Sequence, residues 1–228
     1  MSELIENLRK FNRKERFFLV GMALGNPDFA LSDPFRGEIN AVLGLDVPRG
    51  AFVGMDYHLD WIFASLYLQH HGGNPGPHAN LDKLVRAHQE DIDLVVAYST
   101  ESVSHVVLLE AKGVTGWTNK QMTSKAARFK DIFGEHGQVW PEIAPHFALL
   151  SLRPPQRLDT TAWPAWMLRD GRAPWIELPI RQDLKRVTRC TADGIITASG
   201  RHWKVIGEKS IDHLAPSDGN SRRLSVEP

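Results

Sequence analysis

Glu110 and Lys112 close an apolar run, VVLLEAK at 106–112, and this is where chemistry first becomes legible. Side chains alternate across a strand, so Glu110 and Lys112 share a face while Ala111 points to the other. Upstream, DIDLVVAY at 91–98 is a second β-branched run, joined to the first by the polar STESVS. An antiparallel reversal centred on Glu101 and Ser102 sets Asp93 opposite Glu110, with Cβ atoms about 4.5–5.5 Å apart. A slip of one residue would put the pair on opposite faces. Carboxylates that close repel unless a proton or cation lies between them. Such an oxygen-rich site suits Mg²⁺ or Mn²⁺, held with waters still in place. A cation there activates water for attack on phosphorus, and Lys112 beside it would orient that water, help deprotonate it or counter the growing negative charge. Asp91, two residues before Asp93, competes as the acid. The bland alternative is a strand whose charged end merely reaches solvent.

Residues 2–14 have helical spacing, with Leu4, Ile5, Leu8 and Phe11 on one stripe. Ser32-Asp33-Pro34 can start a second helix running to about Ala41. DYHLDWIFASLYLQH at 56–70 is the strongest helical pattern, and the Gly/Pro-rich HGGNPGPHAN at 71–80 must be a loop. A helix is expected over 118–133, with Met122, Ala126, Phe129 and Phe133 facing a core, followed by a buried strand HFALLSL at 146–152. The runs at 91–98 and 105–112 lack clean alternation, which suits strands covered on both faces. The expected fold is therefore α/β, a central mixed β-sheet flanked by helices. Residues 1–155 form the core with its N-terminal helices. Residues 156–228, with short strands at 175–180 and 202–206 and a hairpin edge at 191–200, form a β-rich C-terminal extension of the same domain. SDGNSRRLSVEP reads as a frayed tail.

DIDLVV, a short loop and VVLLEAK, followed by a helix and a strand, resemble the core motif of the PD-(D/E)XK nuclease superfamily, the restriction-endonuclease-like fold. The resemblance covers mainly residues 56–152. It matches Asp93 to the strand aspartate, Glu110 to the second acid and Lys112 to the lysine; Ile92 stands where the motif has proline. It implies an Mg²⁺- or Mn²⁺-dependent nuclease that hydrolyses phosphodiester bonds, with nucleic acid, DNA first, as partner, and it admits a homodimer. Members often add a metal-binding acid from the helix before the hairpin. Asp60 is the choice here, with Asp56 and Glu38 as competitors. Some branches carry a site-facing glutamine on the helix after the lysine, where this chain has Gln121. Thr118-Asn-Lys-Gln121 equally fits a capping box.

That helix also bears Lys120, Lys125, Arg128 and Lys130. Lys120 and Lys125, near its start, are placed to meet phosphates, although the run also fits a solvated face. Trp117, just after Lys112, could stack on a base or serve the core.

The chain has 27 Lys plus Arg and 27 Asp plus Glu, so any nucleic-acid surface must be a local patch. The single cysteine, Cys190, makes no internal disulfide. FFLVGMALG at 17–25 follows a long stretch that carries glutamates, unlike a signal peptide, and no apolar run is long enough to span a bilayer. A cytoplasmic protein without a membrane partner is expected. His70, His71, His78 and His88 lack the spacing of a compact zinc frame. Neither a phosphate-binding Gly-Lys-Ser/Thr loop nor a Gly-x-Ser-x-Gly elbow is present. Two rival functions are a nuclease-like binding or assembly module that does not cut and a hydrolase of small phosphate esters.

Overall fold

The computed structural model describes residues 3–27, 29–74, 76–87, 90–113, 116–179, 181 and 183–207. His88 and the C-terminal tail lie outside them. The chain divides into two compact units, Met1–Pro179 and Ile180–Pro228.

The first unit is built on a five-stranded sheet in the order β1-β2-β3-β4-β5: β1 Phe52–His58, β2 Asp91–Ser99, β3 Ser104–Lys112, β4 Ile143–Ser151 and β5 Trp175–Glu177. β1, β2 and β3 run antiparallel, whereas β3, β4 and β5 are parallel, so the sheet is mixed as expected. The β2–β3 turn is closed by Thr100 N–H, which donates to Val103 O at 2.8 Å. The parallel β3–β4 pair needs a long crossover, and helix α5 (Asn119–Phe133) lies within it.

Helices cover both faces. On one, α1 (Glu3–Phe11), which the single turn α2 (Glu15–Phe18) follows, α4 (Leu59–His71) and α5 press Leu8, Ile62, Met122, Ala126 and Phe129 against Val95, Val106, Leu108 and Phe147. On the other, Ile39 and Leu43 of α3 (Asp33–Leu43) pack on Val53, Val96, Val107, Leu109 and Leu150. Each large side chain so buried contributes about 1.5–3 kcal/mol, so β3, apolar on both faces, anchors the unit. Ser32 caps α3, its Oγ accepting from Phe35 N–H at 3.4 Å.

β1 corrects the expected helix at 56–70, because Asp56, Tyr57 and His58 are strand and α4 begins only at Leu59. Asp56 adopts φ 46°, a left-handed conformation that interrupts the alternation. Tyr57 is thereby turned into the core that Phe52 already occupies, the two rings meeting edge-on at 5.9 Å. Gly54 makes room for it, since a Cβ there would stand 2.8 Å from Tyr57 Cδ2.

β5 belongs to the main sheet, so the first unit extends past residue 155. The second unit contains an antiparallel ribbon, β6 (Lys185–Cys190) with β7 (His202–Gly207). The expected strand at 202–206 is β7, but its partner is 185–190; residues 191–200 form the connecting turn. Among the described residues no helix is long and apolar enough to cross a membrane.

Candidate functional site

β2 and β3 pair in the expected register as far as Leu94 opposite Leu109, and there the ladder ends. β2 continues along β1 to Asp91 opposite His58, while β3 continues along β4 to Lys112 opposite Ser151. The two strands therefore part at Asp93 and Glu110, leaving a fork at the carboxyl end of β3. Crevices outside the carboxyl ends of strands are where open α/β sheets usually bind ligands.

Asp93 spans the fork. Its Oδ2 accepts from Ala111 N–H at 2.6 Å, standing in for a missing ladder bond. Glu110 is 1% exposed, its Oε2 paired with Lys125 Nζ and its Oε1 facing Gln121 Nε2 at 3.4 Å. Lys125 Nζ also donates to Asp91 O at 2.7 Å. Burial pushes the Glu110 carboxyl above its ordinary range and nearby Asp93 pushes the same way, while Lys125 and Lys112 pull it down.

Lys112 is held from the side. Its Nζ lies 5.9 Å from the centre of the Trp117 ring, whose Nε1–H donates to Ser151 Oγ at 3.3 Å. Trp175 Nε1–H meets the same oxygen at 3.0 Å, and Ser151 Oγ–H donates to Arg153 O at 2.7 Å. The Trp117 ring, open in sequence to base stacking or to a core role, is thus partly buried, packs against the core and lies beside Lys112.

The structure thus brings Asp93, Glu110, Lys112 and Gln121 together. Gln121 reaches Glu110, and Thr118, the N-cap of α5, makes no side-chain capping bond, so the capping box is not formed. Asp91 is committed elsewhere: Lys14 Nζ lies 2.9 Å from Oδ2 and His58 Nδ1 2.8 Å from Oδ1. Lys120 is exposed at the start of α5, but Lys125, expected to meet phosphates, is buried at 6% exposure.

Asp60 is not brought to this group by any contact. Its Oδ1 binds Arg128 Nη2 at 2.8 Å, and its Oδ2 accepts from Arg86 and Ala87 N–H at 3.0 and 2.8 Å. It pins the chain before β2 against α4 and α5. Asp56 pairs with Arg16, and Glu38 is exposed on α3, the helix covering the opposite face from α5. His70, His71 and His78 make ring contacts with Trp140 and Tyr67.

Sequence reasoning passed over Ser151, Trp175, Lys14 and His58. A signal for the buried role of Lys125 was present: it lies three residues after Met122 and four before Phe129, on the core stripe of α5.

Asp93 and Glu110 suit a small hard cation. Mg²⁺ needs only one or two carboxylates beside waters and phosphate oxygens, and no donor among the described residues is bonded to Asp93 Oδ1. No group of three or more His, Cys, Asp or Glu gathers to hold a metal among the described residues. A cation would have to share Glu110 with Lys125 or displace it. Comparison with protein-family models, with curated proteins and with solved structures finds no match to this chain.

Proposed function

We propose that the chain is a metal-dependent nuclease that hydrolyses phosphodiester bonds, DNA first among its substrates. The observation supporting this reading is the parting of β2 and β3 at Asp93 and Glu110 with Lys112 two residues on. Asp93 and Glu110 would hold Mg²⁺ or Mn²⁺, which supplies Lewis acidity towards water and phosphate oxygens. Gln121 orients the Glu110 carboxylate. Lys112, kept from wandering by Trp117, positions the attacking water and offsets the charge that grows on the phosphate.

The test is cleavage of labelled single- and double-stranded DNA and of RNA with Mg²⁺ or Mn²⁺, beside Lys112→Ala purified identically. Loss of a positioned proton-transfer or charge-stabilising group should lower the rate by roughly 10²–10⁴-fold. Equal cutting by both proteins would assign the activity to another site or to a contaminant.

The Lys125 ammonium on Glu110 favours a second reading, a binding module that does not cut, because Glu110 already has its counter-charge. Calorimetric titration with Mn²⁺ separates the two. Heat that disappears in Asp93→Asn supports the nuclease, and a flat titration together with no cleavage supports the module.

A further inference from the structure

Among the described residues the β6–β7 ribbon has one exposed face, and that face has a specific make-up. Lys185, Val187 and Arg189 alternate with partly buried neighbours along β6, and Trp203 and Val205 do so along β7. The register sets Val187 opposite Val205 and Arg189 opposite Trp203, so all five share one surface. Trp203 is 69% exposed, Val187 67% and Val205 51%. Tryptophan normally buries most of its large surface, and an uncovered indole beside two uncovered valines marks a contact surface.

Its charge indicates the occupant. Over residues 181–207 six Lys and Arg stand against Asp183 and Asp193; Lys185 and Arg189 lie on the exposed face, and Arg186 and Lys204 alternate to the other. Asp183 is engaged by Arg181. No ion pair joins Lys185, Arg189 or Arg201 to a carboxylate among the described residues. An acidic protein surface would answer the charge but not the flat ring beside Arg189. A nucleic-acid strand answers both, since a base stacks on indole while its flanking phosphates meet the cations. Stacking on a side chain needs a base that is not already stacked in a duplex.

We propose that this ribbon face binds single-stranded DNA, with Trp203 as the stacking platform and Lys185 and Arg189 as phosphate contacts. The choice of DNA rests on the proposed nuclease reading; the single-stranded form rests on the ribbon alone. Lys185 and Arg189 are four residues apart along the strand, about 13 Å, so they serve different phosphates. Arg189 is also fixed in direction, its Nε–H donating to Gly200 O at 2.9 Å.

The test is fluorescence anisotropy of a labelled DNA 20-mer with the full chain in EDTA, across a salt series, with the matching RNA and DNA duplex as further arms. Working without divalent metal and with Lys112 intact keeps binding separate from cleavage, so either reading can fail alone. Trp203→Ala should weaken binding roughly tenfold while Trp203→Phe largely restores it. Lys185→Ala should reduce the slope of log affinity against log salt by about 0.7. Both side chains are exposed, and unchanged melting temperatures would exclude misfolding. The proposal is overturned if the single strand does not bind, if both alanine variants bind like the parent, or if duplex or RNA binds more tightly than single-stranded DNA.

Discussion

Replacing Lys125 by methionine keeps the length and apolar bulk of the side chain while removing its charge. Glu110, 1% exposed, then loses the ammonium on Oε2, and Asp91 O loses the donor at 2.7 Å. Breaking a buried pair by deleting one partner typically costs 3–5 kcal/mol, because the other charge is left uncompensated. In a chain of 228 residues, at 2–4 °C per kcal/mol, the melting temperature should fall by about 10 °C. Acidity decides whether charge is the cause. The Glu110 pKa is already raised by burial, and losing Lys125 raises it further, so the variant's deficit belongs to pH values at which parental Glu110 is ionised. As pH falls through that range Glu110 becomes neutral in both proteins and the deficit should shrink. Lys125→Met combined with Glu110→Gln should recover most of the loss at neutral pH. Urea unfolding of all three proteins at pH 7 and pH 4.5 measures this. A loss below about 1 kcal/mol at pH 7, or one that does not change with pH, would refute the buried ion pair as the cause.

Two further outcomes are expected. Asp60→Ala strands Arg128, itself 1% exposed, and should destabilise by about 3–5 kcal/mol while leaving Mn²⁺ affinity unchanged; a calorimetric loss of metal binding would restore Asp60 to the site. His146, whose Nε2 lies 3.0 Å from His105 Nδ1, is held down to about 4 by burial, with His105 and Arg169 adding to the effect. Because that value lies below the ordinary 6.5, the unfolded chain takes up the proton first. His146→Leu should therefore remove about 3 kcal/mol of the stability that the parent loses between pH 6.5 and 4, as read from urea curves at each pH. Parallel pH curves for the two proteins would contradict it.

The hairpin, α5 and β4 were legible because each is an unbroken apolar pattern whose period matches its structure. The register that pairs Leu94 with Leu109, and so carries Asp93 and Glu110 to the fork, followed from the length of the polar connector. β1 was hidden by its own irregularity: Gly54 supplies no side chain, and the left-handed Asp56 turns Tyr57 to the face of Phe52 where alternation predicts the face of Val53. β6 was hidden because KRVTRC is largely polar and only its pairing with β7 makes it a strand. The spacing of Lys125 on the core stripe of α5 signals its burial but not its partner, and nothing in type or spacing separates Asp60 from an ordinary helix acid. The pairings of Lys125 with Glu110 and of Asp60 with Arg128 are tertiary arrangements.

Asp93 holds the two strands together with the same carboxylate that faces the fork. Truncating it to alanine removes an acceptor for Ala111 N–H along with the negative charge, so lost function in that variant would confound architecture with chemistry. Asparagine keeps an oxygen for Ala111 N–H while replacing the other oxygen, and the charge, with an NH₂ group. The ratio of the two effects, and neither one alone, measures how far this side chain serves as a strut and how far as a ligand. A survey of the site by alanine alone would overstate the importance of Asp93 relative to Glu110, whose carboxylate replaces no ladder bond.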